Sequence, residues 1–205
     1  MDKASFFFIR HGITNANRQN LLCGGGWDIE LSDEGRAEAR EAVEVLRPFG
    51  DQIKSVCFSP LRRAVETKDI LLAALNKDVR QISVPDLAEW QLGDWEGKSS
   101  AEVIPSGADF FKSNPPNGET HGAFRSRVAC ALDFCLTQPS KVLIVAHGGV
   151  GGMILRYLNS DEGWMTNATL TRFDIREGRA QITRYPRPSQ QAGASRPAWA
   201  MNGKE

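Results

Sequence analysis

The chain has 205 residues, which at the usual ~100–200 residues per domain is one globular unit with enough length for a real hydrophobic core. Lys+Arg 25 balances Asp+Glu 25, with 41% of residues hydrophobic and 24% charged, a composition that excludes a disordered chain and a generic polyanion binder. With zero formal net charge, affinity for nucleic acid or membrane would need a local cluster of Lys and Arg, and the sequence holds none of useful size.

The first apolar run, Phe6 to Ile9, stops at Arg10 and is too short for a signal-peptide core or a membrane-crossing helix, so a cytoplasmic location is expected. Phe6–Ile9, Ser55–Phe58 and Val142–Val145 are short and nearly continuous in apolar residues, as parallel strands covered on both faces are. Helical spacing relates Ala39, Ala42, Val43 and Leu46 behind a Ser32 start. It also relates Leu61, Val65, Leu72 and Leu75, with Ser59 as N-cap and Pro60 as the first helical residue. Phe124, Val128, Leu132 and Leu136 form a third such face, and Val150, Ile154, Tyr157 and Leu158 a fourth. Strands alternating with helices predict an α/β fold, a three-layer sandwich whose mostly parallel central sheet is flanked by helices.

Residues 93–120, with Pro105, Pro115, Pro116 and Asn117-Gly118, read as an excursion with short helical pieces, a candidate lid over a substrate site. Thr169–Ile175 and Gln181–Tyr185 flank the turn signal Arg176-Glu177-Gly178-Arg179 and predict a terminal hairpin. The expected organisation is a single catalytic domain over 1–185 and a flexible tail over 186–205. Cys23, Cys57, Cys130 and Cys135 are scattered without a C-x-x-C pair or nearby histidines, so they read as buried small apolar residues and not as a zinc site or disulfide framework.

Two of the three histidines share a setting. His11 in Ile9-Arg10-His11-Gly12 and His147 in Val145-Ala146-His147-Gly148-Gly149 each follow directly on an apolar strand. In an open α/β sheet ligands bind beyond the carboxyl ends of the strands, so adjacent strands would bring these histidines together over one site. The following glycines allow close backbone approach, and Gly148 would supply an N–H at a helix start, which favours an anion. A third strand end carries Arg62-Arg63, and Arg10 with one of these two gives guanidinium forks suited to phosphate. Glu89, Glu96 and Glu119 are the candidate proton donors, while Trp90 and Trp95 read as packing residues.

Several ordered blocks then define a resemblance. Arg10-His11-Gly12-x-Thr14-x-x-Asn17, Leu31-Ser32-x-x-Gly35, Ser59-x-Leu61-x-Arg63-Ala64-x-x-Thr67, Leu87-x-Glu89, Gly93-x-Trp95-Glu96-Gly97, Gly118-Glu119-Thr120 and His147-Gly148-Gly149 are similar in order and spacing to the histidine phosphatase superfamily, in its phosphoglycerate-mutase-like branch. Gly93-Asp94-Trp95-Glu96 and Asn117-Gly118-Glu119 resemble its short phosphatases of the α-ribazole-5′-phosphate type. The resemblance implies that His11 is the nucleophile and that Arg10, Arg63, His147 and Gly148 hold the phosphoryl oxygens. Asn17 would line the pocket, and Glu89 would give the leaving group its proton. A partly desolvated Glu89 near Trp90 or Trp95 would stay an acid long enough to donate.

The implied activity is hydrolysis of a small phosphorylated metabolite, α-ribazole 5′-phosphate or a sugar phosphate, through a phosphohistidine with no metal and no cofactor. A phosphoglycerate-type mutase and a non-catalytic phosphate-binding protein are the alternatives. The expectation includes no nucleic-acid partner and no membrane, and it leaves room for a homodimer. Ile13 departs from the family, where many members carry Glu after the glycine, and Gly24-Gly25-Gly26-Trp27 departs by an extra glycine and Trp27.

Overall fold

A computed structural model describes residues 4–76, 78–103, 110, 113–139, 141–160, 163–177 and 179–191. Its six strands are β1 (Ala4–Arg10), β2 (Ser55–Phe58), β3 (Arg80–Ser83), β4 (Val142–Ala146), β5 (Leu170–Arg176) and β6 (Arg179–Tyr185), in the sheet order β3-β2-β4-β1-β5-β6. β1, β2, β3 and β4 are mutually parallel, while β5 and β6 run antiparallel as the expected hairpin. The α/β sandwich is therefore the observed architecture.

The continuous apolar runs are explained by burial on both faces. Phe6, Phe8, Val142 and Ile144 face α5 (His121–Leu136) and α6 (Gly148–Tyr157), joining Phe124, Val128, Leu132, Val150 and Ile154 in one core. Phe7, Ile9, Leu143 and Val145 face the other way, toward Ala42, Val43 and Leu46 of α2 (Asp33–Leu46) and Leu71 of α3 (Arg62–Leu71). Each such side chain contributes roughly 1.5–3 kcal/mol of burial, which fixes both strand register and helix facing.

Four expectations are corrected. β3 was absent from the sequence reading because its residues are mostly exposed at the sheet edge, so no apolar run marks it. Ser59 is not the N-cap of α3: Leu61 occupies that position, the helix ends at Leu71, and Ser59 serves the site instead. Cys130 is exposed, unlike the other three cysteines. The supposed tail begins as part of the body, because Arg187 is only 5% exposed and a short helix, α7 (Pro188–Gln191), packs against α2 through Ser189 and Glu41. Within the excursion, α4 (Ser100–Val103) is followed by 104–109, 111 and 112, which lie outside the described residues, as do 192–205 of the tail. Phe110 packs on Trp90 and Trp95. No helix among the described residues is long and apolar enough to cross a membrane.

The parallel core strands end at the same edge. Arg10 pairs with Ala146, the His11 N–H donates to the Ala146 carbonyl at 2.9 Å, and the Ser59 N–H donates to the Val145 carbonyl at 3.0 Å. The ends of β1, β4 and β2 thus deliver His11, His147 and Ser59 side by side.

Candidate active site

The two histidines meet with ring centroids 5.2 Å apart. His11 is 3% exposed and His147 fully buried, and Arg63 is 1% exposed beside them. Burial, reinforced by the Arg63 and Arg10 guanidiniums, holds the His11 imidazole well below its usual range. The same causes, with burial again foremost, act on His147. Both rings are therefore neutral near pH 7.

Neutrality makes the tautomer decisive. His11 Nδ1 lies 2.7 Å from the Gly12 carbonyl oxygen, which can only accept, so Nδ1 carries the proton. Nε2 is left with its lone pair. For His147 the partner of Nε2 is Ser59 Oγ at 2.7 Å, while Nδ1 is buried with no hydrogen-bond partner among the described residues. Ser59 Oγ also accepts the Leu61 N–H at 3.3 Å, which leaves its O–H free to donate to Nε2. With Ser59 donating, the His147 proton lies on Nδ1.

The arginines are held by carbonyls. Arg63 donates to the Gly24 oxygen at 2.7 Å and the Trp27 oxygen at 3.2 Å, and Arg10 donates to the Met165 oxygen at 3.1 Å with its guanidinium 5.7 Å from the Trp164 ring centroid. Nε of each is buried without a partner among the described residues. Burial lowers both guanidiniums from the usual arginine value, yet they stay cationic. Arg62, by contrast, points outward to Glu30. The positive charge of the site comes from Arg10 and Arg63.

Glu89 closes the set. Its Oε2 accepts the Gly149 N–H at 2.9 Å in the first turn of α6, and Oε1 accepts the Trp90 N–H at 2.9 Å. Any side chain at position 149 would collide with it, a Cβ there falling 2.4 Å from Oε1. A Cβ at Gly148 would meet the Trp164 ring at 2.5 Å. The Trp90 indole lies in the core, stacked on Phe124 and donating to the Glu119 carbonyl, so backbone amides hold Glu89. Arg127 braces this segment from behind, paired with Glu119 and donating to the Asp86, Ala88 and Glu89 carbonyls. Glu96 is occupied by the Gly26 and Leu92 N–H groups, which ties the three-glycine loop to the root of the excursion.

Asn17 sits in α1 (Asn15–Arg18), where its Oδ1 accepts the Thr14 N–H at 3.2 Å in a capping box and its Nδ2 faces Cys23 Sγ at 3.9 Å. Cys23 is buried there as a thiol, its pKa raised by burial. His121 begins α5, with its Nε2 buried and its ring edge-on to Trp90. Three supporting residues escaped the sequence reading: Ser59 in this role, Glu38, and Asn167, whose Nδ2 donates to the His11 carbonyl at 2.9 Å.

Comparison with known proteins identifies the family. Residues 6–187 match the family described as histidine phosphatase superfamily (branch 1). The chain is 31% identical over 161 residues to phosphoglycerate mutase-like protein 4 of Arabidopsis thaliana, spanning 73% of this chain and 69% of that one. It is 30% identical over 185 residues to the adenosylcobalamin/alpha-ribazole phosphatase of Salmonella typhimurium, spanning 84% and 86%. The solved structure of the product of open reading frame Rv3214 from Mycobacterium tuberculosis superposes with a TM-score of 0.74 at 27% identity, covering 88% of this chain and 95% of that one. The chain belongs to the histidine phosphatase superfamily and is a phosphatase.

Proposed function

We propose that the enzyme hydrolyses a small phosphorylated metabolite in the cytoplasm, through a phosphohistidine at His11 and without metal or cofactor. One observation carries the reading: the His11 proton is committed to the Gly12 carbonyl, so a neutral Nε2 lone pair stands close to the buried Arg63 and the half-buried Arg10. Nε2 attacks phosphorus as the bond from phosphorus to the leaving oxygen breaks, and Glu89, as the carboxylic acid, gives that oxygen its proton. Water then attacks the phosphohistidine, Glu89 takes the water's proton, the phosphorus–nitrogen bond breaks, and inorganic phosphate departs. Charge on the three equatorial oxygens is met by Arg10, Arg63, the His147 Nδ1–H and the Gly148 N–H, all fixed before substrate arrives. Asn17 supports the pocket through the loop that carries Cys23.

For the substrate, α-ribazole 5′-phosphate is favoured by the relative named adenosylcobalamin/alpha-ribazole phosphatase, which shares 30% identity over 86% of its own length, and a sugar phosphate is the alternative. A mutase reading draws support from the relative named phosphoglycerate mutase-like. Phosphate release from α-ribazole phosphate, sugar phosphates, 3-phosphoglycerate and p-nitrophenyl phosphate, measured in EDTA for wild type and His11→Ala, separates them. Release that survives EDTA and vanishes in the variant is expected. Isomerisation of 3-phosphoglycerate outpacing hydrolysis would favour the mutase, and turnover by His11→Ala would overturn the nucleophile.

A further inference from the structure

The His11 Nδ1–H is held by one carbonyl, and that carbonyl belongs to the peptide unit between Gly12 and Ile13. The same planar unit carries the Ile13 N–H, which points the opposite way across a trans peptide. Glu38 on α2 takes that N–H through Oε2 at 2.8 Å. Its other oxygen, Oε1, accepts from Arg187 at 2.6 Å, and both side chains are largely buried, 6% exposed for Arg187 and 14% for Glu38. Burial pushes the Glu38 carboxyl up and Arg187 pulls it back toward the ionised form. A continuous polar relay thus runs from Arg187 through Glu38 and the 12–13 peptide to the nucleophile ring.

We propose that Glu38 and Arg187 are positioning residues that set the tautomer and orientation of His11 by fixing the 12–13 peptide plane. The inference rests on the reading of His11 as nucleophile. A carboxylate gripping the N–H aims the opposite carbonyl at Nδ1 and polarises it into a better acceptor. The proton stays on Nδ1, and the lone pair stays on Nε2. Arg187 keeps the carboxylate charged and immobile in a buried place, which no helix-surface glutamate would be. Further contacts hold the loop without substituting for this one: Ser32 donates to the Ile13 carbonyl through its N–H at 3.1 Å and its Oγ at 2.9 Å, the Gly12 N–H donates to Thr67 Oγ1 at 3.1 Å, and Asn167 grips the His11 carbonyl. All of these engage the neighbouring peptide units and not the 12–13 unit that faces Nδ1.

The test is NMR of the His11 imidazole in the whole protein, with kinetics alongside. In wild type the ring should be a single Nδ1–H tautomer whose Hδ1 exchanges slowly with solvent. Exchange should quicken from wild type to Glu38→Gln, whose neutral amide still accepts the Ile13 N–H, and again to Glu38→Ala and Arg187→Leu, in which the Nε2–H tautomer should become visible. In parallel kcat should fall by about 10- to 100-fold in Glu38→Ala with KM little changed, as expected when a reacting group is misaimed and not removed. Val43→Ala, a core substitution on the same helix, supplies a variant that loses stability and keeps kcat. Unchanged Hδ1 exchange and tautomer in Glu38→Ala, or a kcat loss no larger than in Val43→Ala, would overturn the proposal. Should Glu38→Ala fail to fold, wild type and Glu38→Gln carry the comparison, and equal exchange rates overturn it. Turnover surviving in His11→Ala would instead remove the nucleophile, a failure that the exchange ordering registers separately.

Discussion

Acid should weaken the fold through His11 and His147. Both imidazoles are buried and held well below the ordinary histidine value, so the folded chain refuses protons that the unfolded chain accepts. Above about pH 6.5 each is neutral in both states and contributes nothing. Below it the unfolded state binds more protons, so stability falls as pH falls, by about 1.4 kcal/mol per pH unit for each ring in the limit. Two rings then cost about 2.7 kcal/mol between pH 7.5 and pH 5.5, a large part of a ~5–15 kcal/mol total. Glu38, whose carboxyl is raised by burial, pulls the other way, and a variant that keeps Glu38 cancels its effect. The assay is urea unfolding followed by tryptophan fluorescence in phosphate-free buffer at the two pH values, for wild type and for the double variant His11→Gln, His147→Gln. Wild type should lose about 2.7 kcal/mol more than the double variant over that range. An equal loss in both would refute the claim that these rings are held neutral, and with it the argument for a standing lone pair on His11.

Other outcomes follow from the same geometry. Arg63→Ala should lower kcat/KM for p-nitrophenyl phosphate by about 10²–10³-fold, as for loss of a preorganised charge, whereas Arg62→Ala, paired outward with Glu30, should change it only a few fold. The reverse ranking would show that the wrong guanidinium has been assigned. Glu89→Gln should slow alkyl phosphates far more than aryl phosphates, whose leaving groups need little protonation; equal losses would make Glu89 a positioning group. Gly149→Ala should damage turnover with little loss of fold, since its Cβ would displace a Glu89 oxygen only 2.4 Å away, and normal kcat would mean that Glu89 does not act from where it sits. Truncation after Tyr185 should lower stability by about 3 kcal/mol in urea unfolding, because Glu38 is left partly buried without Arg187; an unchanged midpoint would mean that the pair contributes nothing.

What was legible in the sequence divides along a physical line. A strand buried on both faces must be apolar throughout, so β1, β2 and β4 declared themselves, and a histidine followed by glycine at the end of such a strand is already placed at a crevice. β3 declared nothing, because an edge strand is specified by its partner: Arg80 to Ser83 pair residue by residue with Ser55 to Phe58 while their side chains stay mostly in water. The site divides in the same way. Arg10, His11, Arg63 and His147 sit at strand and helix ends whose local pattern announces them, and Glu89 lies in an irregular segment at the root of the excursion, but the groups that orient them act across long separations. Asn167 reaches the His11 carbonyl over 156 positions and Arg187 reaches Glu38 over 149, and no local spacing encodes either contact. Glu38 did leave a trace. It lies three residues after Gly35 and four before Ala42, both buried, and so on the inner stripe of α2, where an unpaired carboxylate would be costly. A charged residue at an inward helical position is a demand for a distant partner. Here that demand is met on one side by a cation from beyond the last strand and on the other by the amide next to the nucleophile, so the stability of the chain's end and the aim of His11 are coupled through a single carboxylate.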